Sequence, residues 1–217
     1  MKKCLIIANG SLPNRKDIEY AISSGYEKII CADGGANSSY KLGIVPDFII
    51  GDLDSIRPDI YKYYKIRSEI IHLKRQNDTD VEKAIKFAIK NKFTHIFLAA
   101  ATGDRLDHTF CNLGIVIKYF KKISIRLLHY KSLLTAYSGN IRLITSPGEI
   151  ISVYGIDHKT FISSKGLKYP LRNIAIPFGI KDGTSNVALS DHVDLKIRGG
   201  IIFVIRDYGT MKKNGLF

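Results

Sequence analysis

Six short apolar runs punctuate the first 130 residues: CLIIA (4–8), KIICA (28–32), DFIIG (47–51), EIIHL (69–73), HIFLAA (95–100) and ISIRLLHY (123–130). Their apolar positions are continuous rather than alternating, the pattern of strands covered on both faces. Helical periods fill the intervals. In TDVEKAIKFAIKNK, Val81, Ala84, Ile85, Ala88 and Ile89 recur at helical spacing, and Thr79 with Glu82 three residues on makes a capping box. A second helix is predicted from near Leu106 to Phe120. This strand–helix alternation predicts a parallel sheet with helices on both faces, a Rossmann-like α/β domain.

After Tyr130 the pattern changes. The segments become short, β-branched and punctuated: NIRLIT, EIISVYG, TFISS, LKYPL, DLKIR and IIFVIRD, separated by Pro147-Gly148, Lys165-Gly166, KDGTSN and Gly199-Gly200. No helical period survives over ten residues, and the turn signals every 8–12 residues predict a small all-β sandwich. The expected organisation is therefore an α/β domain over residues 1–132 and a β-sandwich domain over 133–217.

Composition narrows the class. The chain has 217 residues, 45% of them hydrophobic, which excludes general disorder. No apolar run approaches the ~20 residues of a spanning helix, and the stretch at 4–8 is too short for a signal-peptide core. Three cysteines, Cys4, Cys31 and Cys111, lack CxxC spacing and sit in apolar contexts. They predict a reducing, cytoplasmic setting without disulfides or a zinc site. The net charge of +13 invites a nucleic-acid reading. Its distribution opposes one: 21 Lys/Arg face 14 Asp/Glu in residues 1–130, and 12 face 6 thereafter, with no dense basic block. Neither a nucleic-acid nor a membrane partner is expected.

The aspartates carry the chemistry. Asp33 ends the second run; Asp52 and Asp54 end the third; Asp78 and Asp80 open the helix after the fourth; Asp104 and Asp107 follow the fifth. Ligands of open parallel sheets bind outside the carboxyl ends of the strands. Each cluster alone is compatible with turn formation or with a helix N-terminus. Four together predict a hard cation such as Mg²⁺ that neutralises them and serves a phosphate substrate. Gly34-Gly35 lets backbone N–H groups approach phosphate oxygens. Lys83, one turn into the helix that Thr79 caps, reaches toward a phosphate above the cap, and Arg105 suits bidentate phosphate contact or pairing with a neighbouring aspartate. Neither a GxGxxG fingerprint nor a Walker A sequence is present.

In order and spacing, ADGGAN (32–37), PDFIIGDLDS (46–55), QNDTDVEKA (76–84), ATGDRLDHT (101–109), GLKYPL (166–171) and GTSN (183–186) resemble the thiamine pyrophosphokinase family. The sequence departs at Asp104, where the family commonly has glycine. The resemblance implies transfer of pyrophosphate from ATP to the hydroxyl of thiamine, giving thiamine diphosphate and AMP. It implies a homodimer whose active site lies between the α/β domain of one subunit and the β domain of the other. By the same carry-over, Asp52, Asp54 and Asp80 are Mg²⁺ ligands, directly or through water, with Asp33 close by. Asn37, Thr79, Lys83, Arg105 and Asp107 bind nucleotide or phosphate, alongside Gly34. Gly183, Thr184, Ser185 and Asn186 receive thiamine, with Tyr169 as a candidate wall. The rival enzyme reading, a metal-dependent phosphatase or sugar-nucleotide transferase using the DxD of residues 52–54, leaves QNDTD and the β domain unexplained.

Overall fold

The computed structural model describes residues 1–74, 77–103 and 105–217; Gln76 and Asp104, from the motifs above, lie outside the described residues. The chain is a mixed α/β protein with parallel and antiparallel strands, divided into two compact units, Met1–Tyr130 and Lys131–Phe217.

The first unit runs β1 (Lys3–Ile7), α1 (Arg15–Ser23), β2 (Lys28–Ala32), α2 (Gly35–Lys41), β3 (Phe48–Gly51), α3 (Pro58–Tyr64), β4 (Glu69–His72), α4 (Asp80–Lys90), β5 (His95–Ala99), α5 (Leu106–Tyr119) and β6 (Ser124–His129). Its strands pair in parallel in the order β4-β3-β2-β1-β5-β6. The apolar runs form this sheet because both of its faces are covered. Cys4, Leu5, Ile6, Ile7, Ile30, Ile49, Ile50 and Phe97 are fully buried. Strand order reverses about β1, whose neighbours are β2 and β5, so a crevice opens beyond the carboxyl ends of β1 and β5.

The second unit contains β7 (Ser132–Ile144), β8 (Ile150–Gly155), β9 (Phe161–Lys165), β10 (Ile174–Ala175), β11 (Asn186–Val187) and β12 (His192–Asp207). All its ladders are antiparallel. β12 pairs with β7 along its length, with β9 over Asp194–Arg198 and with β8 over Ile202–Arg206. The change of partner coincides with a register shift at Gly199-Gly200, where a Cβ on Gly199 would stand 2.1 Å from the Lys159 carbonyl oxygen. Ile151, Val153, Ile162, Val193, Ile202 and Val204 form the core. One six-residue helix, α6 (Tyr208–Lys213), closes the chain, its start capped by Asp207, which accepts from Thr210 N at 2.6 Å. Six residues are too few to show a period against a β-rich background.

Cys4 and Cys31 are buried and free, and burial pushes both thiols up to about 12; Cys111 is free and exposed. Among the described residues no helix is long and apolar enough to cross a membrane.

Half of the capping box on α4 forms: Thr79 Oγ1 accepts from Glu82 N at 3.2 Å. The Glu82 carboxylate turns instead toward α5, accepting from Lys118 Nζ and Tyr119 Oη, each at 2.6 Å. A charged donor and a phenol outbid a single backbone N–H. Burial opposes ionisation of Glu82, but the Lys118 and Tyr119 hydrogen bonds outweigh it and hold the carboxyl below its ordinary 4.5. A carboxyl depressed in the folded state stabilises above its unfolded value, and that contribution is lost as pH falls through the folded value. Glu82→Gln is expected to cost about 1 kcal/mol at neutral pH. The deficit should begin to shrink below about pH 4.5, where the unfolded chain takes up the proton, and vanish as pH falls through the lower folded value. Urea unfolding of both proteins across that range checks it; a deficit constant down to the lowest pH excludes the ionised Glu82 as its source.

Candidate active site

The loops beyond the carboxyl ends of β2 and β3 and the first turn of α4 assemble one acidic group. Asp33 follows β2 in a left-handed conformation (φ 42°), and its N–H extends the ladder by donating to the Ile50 carbonyl at 2.8 Å. Its Oδ2 accepts from Ser55 N at 3.2 Å, while the residue is only 2% exposed. Beyond β3, Leu53 is also left-handed (φ 68°), which turns Asp52 and Asp54 in different directions. Asp52 joins Asp33 and Asp80, so that one carboxylate oxygen from each lies within 4.8 Å of the others. Asp54 stands outside this group, accepting from Ser55 Oγ at 3.0 Å. The structure thus brings Asp33, rather than Asp54, together with Asp52 and Asp80.

Lys83 sits one turn after Asp80 on the same face of α4. Its Nζ lies 2.7 Å from Asp80 Oδ1 and 3.7 Å from Asp52 Oδ2, with the side chain 4% exposed. Burial disfavours its charge, but the Asp80 hydrogen bond and the charges of Asp80, Asp52 and Asp33 more than compensate, raising the ammonium above its usual value. Asp33 is likewise shifted upward, above an ordinary carboxylate. Burial raises it, helped by the Asp80 and Asp52 charges, against the Ser55 hydrogen bonds.

One ammonium does not neutralise three carboxylates. Asp33 Oδ1 and Asp52 Oδ1 are buried without a hydrogen-bond partner. Unpartnered buried acceptors are costly, and an all-oxygen donor set of this kind suits a hard divalent cation. The donor chemistry therefore fits Mg²⁺.

A cleft of about 520 Å³ in the same unit is lined by Asp33, Gly34, Thr79, Asp80, Arg105 and Asp107, among others. Arg105 precedes α5 and pairs with Asp107 through Nε–Oδ1 at 3.2 Å and Nη2–Oδ2 at 2.5 Å. This hydrogen-bonded pairing holds Asp107 below the usual carboxylate range. Both side chains are more than 60% exposed, so the guanidinium can exchange its partner for a phosphate at small cost. Asn37 does not line this cleft. Its amide donates to the Ser55 carbonyl at 2.8 Å and accepts from Arg57 N at 3.1 Å, fastening the loop that carries Asp52 and Asp54.

One element of this cleft has no counterpart in the motifs: the loop after β1 contributes Asn9 and Gly10, which meet residues 100–102 of the loop after β5. The two loops interlock through Gly10 N to Ala100 O at 2.6 Å and Ser11 N to Thr102 O at 2.9 Å. Asn112 on α5 ties the second loop down by donating to Ala101 O at 2.6 Å. The available signal was the Asn9-Gly10 pair directly after the first apolar run.

Thr184 and Asn186 lie in the second unit, where with Tyr169 and Gly183 they line a separate cavity of about 580 Å³. Thr184 Oγ1 is 2.7 Å from Tyr154 Oη. Asn186 is buried and clamps the Tyr169 backbone, accepting from its N–H at 3.0 Å and donating to its carbonyl at 2.7 Å. Ser185, left-handed at φ 56°, donates its N–H to Ser152 Oγ at 3.0 Å and does not line the cavity.

Comparison with known proteins puts this geometry in context. Residues 21–127 match the family model described as thiamin pyrophosphokinase, catalytic domain. The chain is 31% identical over 188 residues to thiamine pyrophosphokinase 3 of Oryza sativa subsp. japonica, covering 73% of this chain and 70% of the relative. It is 28% identical over 193 residues to thiamin pyrophosphokinase 1 of Caenorhabditis elegans, covering 81% and 77%. Among solved structures, a thiamin pyrophosphokinase from Geobacillus thermodenitrificans superposes with a TM-score of 0.80 at 25% identity, over 94% of this chain and 96% of that one. The enzyme from Candida albicans shares the fold, with a TM-score of 0.82 at 21% identity over 94% and 88%.

Proposed function

The chain belongs to the thiamin pyrophosphokinase family, and on that premise we propose that it transfers pyrophosphate from ATP to the hydroxyl of thiamine, releasing AMP. The observation that carries the reading is the Asp33–Asp52–Asp80 group beside Lys83, with two buried carboxylate oxygens lacking partners. A phosphatase acting through Asp52 is not favoured, since the family match spans the aspartate motifs from the second strand to the sixth.

In this reading Asp33, Asp52 and Asp80 hold Mg²⁺, with Asp54 acting through water. The ion, when bound, neutralises charge on the polyphosphate oxygens. The protein's own groups do the rest by placement. Lys83 keeps its proton beside the acidic group and presents a fixed positive charge. Arg105 leaves Asp107 to grip phosphate oxygens in bidentate fashion. The N-terminus of α4, capped by Thr79, adds a favourable dipole, and Gly34 admits phosphate close to the backbone. The reaction forms a bond from the thiamine hydroxyl oxygen to the β-phosphorus and breaks the bond from that phosphorus to the oxygen bridging it to the α-phosphate. The hydroxyl gives up its proton, and AMP departs with the bridging oxygen.

Thiamine binds in the cavity of Tyr169, Gly183, Thr184 and Asn186, where an aromatic ring and polar groups coexist. The working unit is a homodimer, each site built from the first unit of one subunit and the second unit of its partner. The free, buried thiols of Cys4 and Cys31 suit a reducing cytoplasm.

Product analysis tests the reaction. Protein incubated with ATP, Mg²⁺ and thiamine is expected to yield AMP and thiamine diphosphate in equal amounts; ADP with thiamine monophosphate refutes pyrophosphoryl transfer. Subunit mixing tests the shared site. Asp52→Asn and Thr184→Arg are each expected to abolish activity, and an equal mixture exchanged into mixed dimers should recover about a quarter of it, one intact site in each mixed dimer. Stable mixed dimers without recovery would show that each chain completes its own site.

A further inference from the structure

We propose that Gly51 is a positioning residue: the space left by its missing side chain is what lets Asp33 and Asp80 close around a cation. This rests on the reading of Asp33, Asp52 and Asp80 as metal ligands. A glycine weakens the strand that contains it and so calls for a packing reason. Gly51 ends β3 within the ladder, pairing with His72 and accepting from Leu73 N at 2.8 Å. It is absent from the left-handed glycines, so its backbone would accept alanine.

The obstacle is volume. A Cβ on Gly51 would lie 2.6 Å from Asp33 Cβ, 3.1 Å from Asp33 Cα and 3.2 Å from Asp80 Oδ1. The first separation is shorter than real Cβ contacts tolerate, and Asp33 cannot retreat freely. Its N–H is bonded to the Ile50 carbonyl at 2.8 Å, and its own carbonyl accepts from Ala36 N at 2.9 Å. A methyl group at position 51 must therefore push the Asp33 side chain off its present line and crowd Asp80. Asp33 Oδ1 is one of the two buried oxygens without a partner, and it is the ligand atom that would be displaced. Mg²⁺ demands near-ideal geometry from few protein ligands, so a small displacement is expensive for it.

The test is calorimetric titration with Mg²⁺ alone, alongside circular dichroism of each variant. Gly51→Ala is expected to keep the parent spectrum and to bind Mg²⁺ at least about tenfold more weakly, a loss of about 1.4 kcal/mol. Asp33→Gly suits the left-handed backbone there and removes the Cβ that the new methyl would strike. In that background Gly51→Ala should weaken Mg²⁺ binding by a clearly smaller factor than in the parent, because only the milder approaches to the position-33 Cα and to Asp80 Oδ1 remain. Undiminished affinity in Gly51→Ala overturns the proposal while leaving the metal reading intact, as does a full additional loss in the double variant. If Gly51→Ala does not fold, the double variant must fold; failure to do so also overturns the proposal. A parent protein that takes up no Mg²⁺, or whose uptake survives Asp80→Asn, removes the metal reading and this inference with it.

Discussion

Mutual repulsion among three carboxylates is the constraint on which the first unit's active end depends. With their oxygens within 4.8 Å of one another, each ionised pair opposes the fold by roughly 3–4 kcal/mol at the effective dielectric typical of proteins. Lys83 offsets part of this, but one ammonium leaves an excess of negative charge and two buried oxygens without partners. Such an arrangement persists only because the surrounding frame is rigid. The six-stranded parallel ladder fixes where β2 and β3 end, and the Thr79 cap fixes where α4 begins. The cost of the repulsion is the driving force available to a cation.

Local conformation decides which carboxylates take part. In GDLDS the two aspartates are sequence-equivalent, and nothing in their spacing separates them. The left-handed turn at Leu53 does so, leaving Asp52 inside the group and Asp54 outside it. Leu53 has no side-chain feature that announces φ 68°, so the distinction was not legible in the chain. Asp33 presents the converse case. Its place at the end of an apolar run was legible, but its closeness to Asp80 depends on the parallel β2–β3 pairing and on α4 returning over those strands.

The same division runs through the fold. Runs such as CLIIA and HIFLAA read as buried strands because both faces of the sheet are covered and no polar position interrupts them. The helix after Thr79 read clearly because its period spans three turns and its cap is local. The other partner of Glu82 was hidden, since Lys118 and Tyr119 lie 36 and 37 residues away. Likewise, the loop at Asn9-Gly10 acquires its role only through the β5 loop, which interlocks with it across the crevice where strand order reverses. Long-range hydrogen bonds of this kind have no period and no composition to betray them.

Within the first unit, backbone strain gathers at this end of the sheet. Asp33, Leu53 and Ala100 follow β2, β3 and β5, and all three are non-glycine residues in the left-handed region. Such conformations cost about 1–3 kcal/mol each in a flexible chain. Here each turn is fastened on the site side: Asp33 by Ile50 and Ser55, the Leu53 turn by the Asn37 amide on Ser55 and Arg57, and Ala100 by Gly10. Asn37 thus contributes as a clamp on the Asp52–Asp54 loop rather than as a wall of the cleft. Charges that repel and turns that strain share one set of hydrogen bonds, so loosening that set would relax both together. Preorganisation at this site is therefore a property of the loops' mutual attachment, and the carboxylates are its most visible part.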